Sequence, residues 1–153
     1  MFGFGKEKTP FHVVVKAAFE EAGQRGDRRL GTEHLLLGLL HHRDSAQALG
    51  VDLDRARSAL AELDREALRM LGLDVGDLPR KPRKHRPVPG TALTSSARAV
   101  INQAIKRTTL KTRSAQAHRQ LALVLLGQGH PDPVAQLVDH LGIDRAAARA
   151  RLA

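Results

Sequence analysis

The residues of this chain that could do chemistry are eight histidines, five serines and one short run in which an acid meets a histidine, Gly31-Thr32-Glu33-His34. The histidines are His12, His34, His41, His42, His85, His118, His130 and His140. None follows the HExxH spacing that puts two imidazoles on one helix face, and the adjacent His41 and His42 point to different faces. There is no Cys, so neither a thiolate metal site nor a disulfide framework is expected. Ser45, Ser58, Ser95, Ser96 and Ser114 lie in no G-x-S-x-G elbow, and no GxxxxGK[ST] phosphate loop occurs. The expectation is a chain without catalytic residues, metal or cofactor.

The acid-histidine run stands at the mouth of the most apolar segment, "LGTEHLLLGLL" at 30–40. Thr32 is expected to cap a helix there, and Glu33 to favour the positive end of its dipole. Leu35, Leu36, Leu39 and Leu40 are expected in the core. Gly38 lets a neighbouring helix approach closely. This account gives His34 no role.

The elements that must position these residues are helices. The composition is rich in Ala, Leu and Arg, and the only aromatics are Phe2, Phe4, Phe11 and Phe19. A shift of 86 residues aligns two halves: "VVVKAAFEEA" (13–22) falls on "AVINQAIKRT" (99–108), and "LLLGLL" (35–40) on "LALVLL" (121–126). Beyond that, "LGVDLDRARSAL" (49–60) matches "LGIDRAAARARL" (141–152) at a shift of 92, so the second half carries six extra residues around "GHPDPV". The pattern predicts an all-α fold of two four-helix repeats related by a pseudo-twofold axis.

In the first repeat, helices are expected over 10–25 with Thr9 as cap, over 32–42, over 44–49, and in a long fourth element capped by Asp52 and ended by Gly72. The stripe Leu53, Ala56, Leu60, Leu63, Ala67 and Met70 makes that fourth helix amphipathic. In the second repeat, helices are expected over 94–109, 114–127, 132–141 and 144–152, with Thr94 or Ser95 and Asp144 as caps. The expected organisation is an N-terminal extension (1–8), a first repeat (9–72), a linker (73–92) and a second, truncated repeat (93–153). The linker stretch "GDLPRKPRKHRPVPG" holds four prolines and cannot be helical. Charge is uneven: residues 1–79 are net −2, residues 80–90 net +5 and residues 91–153 net +6. That asymmetry suits an acidic or phosphorylated partner.

"GTEHLLLGLL", preceded by "AAFEEA" and followed by "LGVDLDRAR", closely resembles the Clp N domain. That is the N-terminal substrate-receptor domain of Clp-type AAA+ unfoldases, in particular the actinobacterial and Gram-positive kind. The resemblance runs from about Lys8 to Leu152 and is strong in the first repeat. It implies a duplicated four-helix fold, and with no GxxxxGK[ST] phosphate loop in the sequence the expectation is a receptor domain standing alone, without the motor. It also implies recognition of phosphorylated arginine by the acid of each Gly-Thr-Glu-His run. Carried over, the first pocket keeps Thr32 and Glu33: the carboxylate would hold the guanidinium, and amides at the helix start the phosphate. In the second repeat His118 and Arg119 replace them, and Arg119 would repel a guanidinium, so that pocket is diverged. The resemblance further implies an apolar groove between the first helices of the two repeats, used by adaptors and cyclic-peptide antibiotics. By register Phe4, His12, Leu93 and Arg98 fall there.

The function expected is therefore non-catalytic protein binding in Clp protease regulation. The chain would act as an adaptor or decoy for peptides, client proteins or Clp adaptors, with the Clp unfoldase and cyclic-peptide antibiotics as further partners. The contrasting reading is a nucleic-acid- or acidic-partner-binding protein using the linker cations "RKPRKHR" (80–86). That run has no interleaved aromatics for base stacking, and no helix-turn-helix pattern stands out, so nucleic acid is disfavoured. No stretch is long and apolar enough for a membrane span or a secretory signal, so the expected location is the cytoplasm.

Overall fold

A computed structural model describes residues 10–73 and 88–153, and among them every regular element is an α-helix. The helices are α1 (Pro10–Arg25), α2 (Thr32–Leu39), α3 (Arg43–Leu49), α4 (Leu53–Met70), α5 (Ser95–Lys106), α6 (Arg113–Leu126), α7 (Pro133–Leu141) and α8 (Arg145–Leu152). Local chemistry sets most boundaries. Side chains of Asp52, Thr94 and Asp144 accept from the backbone N–H groups of Arg55, Ala97 and Ala147, the N-cap bond expected of short oxygen-bearing residues. Gly72 follows α4 at φ 81°, the left-handed conformation that ends a helix. The expected Thr9 cap lies outside the described residues.

The packing is symmetric under exchange of the repeats. α1 packs on α2 and α6, while α5 packs on α6 and α2. α4 packs on α7 and α3 on α8, so each repeat finishes its outer layer on the other. The centre is built from α1, α2, α5 and α6. Equivalent positions Val14 and Val100, Val15 and Ile101, Ala18 and Ala104 are all buried in one continuous apolar core. Burying a Val or Leu side chain contributes about 1.5–3 kcal/mol, so these matched stripes hold the repeats in register.

Gly38 has the packing role expected of it. A Cβ at this position would lie 2.5 Å from the Val14 carbonyl oxygen and 2.9 Å from the Ala18 amide nitrogen. The backbones of α1 and α2 therefore touch where any side chain would separate them.

Three expectations are corrected. The second helix ends at Leu39 rather than at 42, in a turn whose His42 side chain bonds Ser45. The stripe of α4 leaves the core beyond Leu63: Ala67 is exposed and Met70 is 89% exposed, because the last turns of α4 run past the end of the packed layers. Thr32 is not a cap; Gly31 occupies that position, and no side chain of its own can bond the first amides.

Candidate functional site

The start of α2 is held from both sides by backbone pairing and by a histidine. Leu30 forms an isolated parallel bridge with Leu93: its N–H donates to the Ala92 carbonyl at 2.7 Å, and its own carbonyl accepts from Thr94 N–H at 2.9 Å. The chain entering α2 is thus tied to the chain entering α5. One residue on, the Gly31 N–H donates to Nδ1 of His34 at 2.9 Å. His34 is the third residue of the helix and reaches back to the cap residue, the returning half of a capping box. This gives His34 the local role that the sequence left blank.

Thr32 has a different task from the one expected. Its hydroxyl bonds the Asp132 carboxylate, one hundred residues away, and accepts from the Val134 N–H at 3.3 Å. Asp132 caps α7, and it belongs to the six-residue insertion around "GHPDPV". Thr32 is 1% exposed and faces the second repeat. It joins the repeats and does not line the cleft described next.

Glu33 does. A cleft of about 400 Å³ is lined by Arg25, Asp27, Arg28, Arg29, Glu33, His34, Leu60 and Asp64. α1 contributes its last residue Arg25, the connection to α2 contributes Asp27, Arg28 and Arg29, and α4 contributes Leu60 and Asp64. Much of the charge is already neutralised. Arg25 donates to Asp27 at 2.9 Å and to Asp64 at 2.5 Å, and His34 Nε2 lies 2.7 Å from the Asp27 carboxylate. Burial opposes the Asp27 anion, but the hydrogen bond from His34 and the charge and bond of Arg25 outweigh it, so its pKa is lowered. Glu33 is turned inward over Gly31, with Oε1 3.0 Å from His34 Nδ1. A Cβ on Gly31 would overlap the Glu33 carboxylate, so this orientation requires glycine there. Arg28 and Arg29 are exposed and form no ion pair among the described residues. The cleft thus combines the Glu33 carboxylate beside His34, the Arg25 pairs with Asp27 and Asp64, two guanidinium groups without ion-pair partners among the described residues, and an apolar contact at Leu60.

The second repeat presents no such arrangement at the aligned positions. α6 begins at Arg113, so His118 and Arg119 sit in its second turn, where helix amides are already bonded within the helix. His118 stacks on His42 with ring centroids 3.6 Å apart and planes 14° from parallel. Burial and the nearby His42 lower its pKa, with Asp44 opposing. Arg119 is exposed and lies 3.5 Å from the Gln116 side-chain oxygen.

Of the groove candidates, His12, Leu93 and Arg98 are among the described residues. Leu93 is 5% exposed, a core residue, because the bridge to Leu30 turns it inward. His12 is half-buried on α1 and Arg98 is exposed on α5. Phe4 and the basic run 80–86 lie outside the described residues. Among the described residues no three His, Asp or Glu side chains gather as metal ligands would, and no helix is long and apolar enough to cross a membrane.

Sequence reasoning missed Arg28, Arg29, Asp27 and Asp64. The signal available was the "RGDRR" run ending at Arg29, two residues before Gly31, which puts cations beside the helix start. A family model described as the Clp repeat (R) N-terminal domain matches residues 8–115, a span that reaches from the approach to α1 into the first turn of α6. No curated protein sequence matches the chain significantly.

Proposed function

The chain belongs to the Clp repeat (R) N-terminal domain family, and on that premise we propose that the cleft beside α2 binds arginine-phosphorylated protein segments. Domains of this family are non-catalytic modules that bind proteins and adaptors in Clp systems. The observation that carries the finer reading is the pairing on one cleft of Glu33 with the unpartnered Arg28 and Arg29. A phosphorylated arginine has a cationic guanidinium joined directly to an anionic phosphoryl group. A carboxylate and a guanidinium pair lining one cleft match that charge order, each through charge-assisted hydrogen bonds. Leu60 gives the methylene stem an apolar surface. Amides at the start of α2 would assist once Glu33 turns outward.

In this role the chain holds marked segments and turns nothing over. As a decoy it lowers their free concentration by mass action; as an adaptor it presents them to a Clp unfoldase.

The test is competition between a phosphoarginine peptide and its unmodified counterpart, read by fluorescence anisotropy. Arg28→Ser with Arg29→Ser is expected to weaken the phosphorylated peptide by at least about tenfold and to erase the preference for it. Equal binding of both peptides by the wild type would overturn the reading.

A further inference from the structure

His34 makes three close polar approaches with two ring nitrogens, and two of them cannot coexist. Nε2 faces the Asp27 carboxylate at 2.7 Å and donates to it. Nδ1 lies 2.9 Å from the Gly31 amide nitrogen and 3.0 Å from Glu33 Oε1. To bond Gly31, Nδ1 must offer a lone pair; to bond Glu33, it must carry a proton. A ring protonated only at Nε2 satisfies Gly31 and Asp27 and points a lone pair at the Glu33 carboxylate, which repels it. An imidazolium satisfies both carboxylates and gives up the Gly31 bond.

We propose that His34 is the positioning residue for Glu33: with Nδ1 protonated it holds the carboxylate over Gly31, and with Nδ1 unprotonated it bonds the Gly31 amide and releases the carboxylate to a cationic group in the cleft. This deepens the reading of the cleft as a guanidinium site and rests on it. A ligand guanidinium and the imidazolium compete for one carboxylate, so ligand binding expels the Nδ1 proton to solvent. Affinity then rises with pH across the titration of His34.

The charged groups that line the cleft with the ring come from every wall: Arg25 on α1, Asp27, Arg28 and Arg29 on the connection, Glu33 on α2 and Asp64 on α4. The two carboxylates that touch the ring, Asp27 and Glu33, favour the imidazolium. Burial of the ring opposes its charge, yet the bonds to Asp27 and Glu33 outweigh it, so the pKa is raised above the ordinary histidine value of about 6.5. The transition falls above that value.

The experiment titrates free phosphoarginine into the protein by calorimetry at several values between about pH 6 and about pH 8.5, beside a 15N NMR titration of the imidazole. The expected result is an affinity gain of at least about threefold across the His34 midpoint, with up to one proton released per ligand below it. His34→Asn should abolish the pH-dependent gain. Should that variant fail to fold, Asp27→Asn serves: it keeps the histidine, removes the anion on Nε2, and should lower the affinity midpoint in step with the ring midpoint. A wild-type affinity that falls or stays flat across the ring midpoint would overturn the proposal, as would an equal gain in His34→Asn. If phosphoarginine fails to bind at any pH, the functional reading falls by itself, and the Glu33 side-chain carboxyl 13C resonance decides this one. A Glu33 resonance that moves at the His34 midpoint supports the coupling; one that does not move overturns it.

Discussion

In the first repeat the run Gly31–His34 lies at the start of α2, whereas the aligned His118 and Arg119 of the second repeat lie a full turn inside α6. The helices correspond in order, and the inward apolar residues of α1 and α5 match at Val14 and Val100, Val15 and Ile101, and Ala18 and Ala104. Between α2 and α6 the difference lies in where the helix begins and what stands outside it. Core positions are constrained by packing in both repeats, since a lost methylene there costs about 0.8 kcal/mol and any added bulk strains the neighbours. The start of α2 faces a cleft where the Glu33 carboxylate, held by His34, meets Arg28 and Arg29, which form no ion pair among the described residues.

The same contrast runs through the buried charges. Glu21 is 2% exposed on α1 and is held by Arg57, at 2.5 and 3.0 Å, and by His41 at 2.9 Å. Its second-repeat counterpart is the exposed Arg107, and Arg57's counterpart Arg149 donates to the Leu126 carbonyl at 3.3 Å. Removing Arg57 is the largest effect expected. Arg57→Ala should cost about 3 kcal/mol in urea unfolding, the low end for breaking a buried ion pair, because Arg57 is partly exposed and His41 remains. Arg149→Ala should cost under about 1 kcal/mol, the worth of one ordinary hydrogen bond. Equal losses would break the comparison.

Gly38→Ala follows, at about 2 kcal/mol, because its Cβ must force α1 away from α2. Thr32→Val removes the hydroxyl that links α2 to the α7 cap and should cost about 1 kcal/mol. A loss confined to the first repeat in hydrogen exchange would contradict the role of Thr32 between repeats.

The pH dependence of stability draws on three groups of the first repeat, Glu21, Asp27 and His34. Burial would raise the Glu21 pKa, but the bonds from Arg57 and His41 lower it below the ordinary carboxylate value, as happens for Asp27. Their stabilisation is present above that ordinary value and is lost as pH falls through the lowered one. His34 behaves oppositely: its contribution is full below about pH 6.5 and is lost as pH rises through its raised pKa. Melting temperature should therefore decline on both flanks, and His34→Asn should flatten the alkaline flank alone. The smallest effect expected is none. On charge alone, Arg119→Glu would restore a second guanidinium site. With position 119 inside α6 it should not, and calorimetry should still report the wild-type stoichiometry.

Most of the fold was legible because helix caps and apolar periodicity are local. Asp52, Thr94 and Asp144 bond amides three residues on, and the stripes of α1 and α5 repeat at the same spacing. What was not legible is what depends on distant partners. Thr32 has the composition of a cap, but its hydroxyl is engaged by Asp132 across the repeat interface. Leu93 reads as a groove residue by register, yet its pairing with Leu30 buries it. Glu33 was legible as a helix-start acid from its place before the leucine run, and it lines the cleft. Asp64 was not, because only the return of α4 brings it to the same cleft.

If the first repeat alone reads a guanidinium, calorimetric titration of free phosphoarginine should give one site per chain in the wild type and at least about tenfold weaker binding, some 1.4 kcal/mol, in Glu33→Ala. Two equal sites in the wild type, or unchanged affinity in Glu33→Ala, would contradict it.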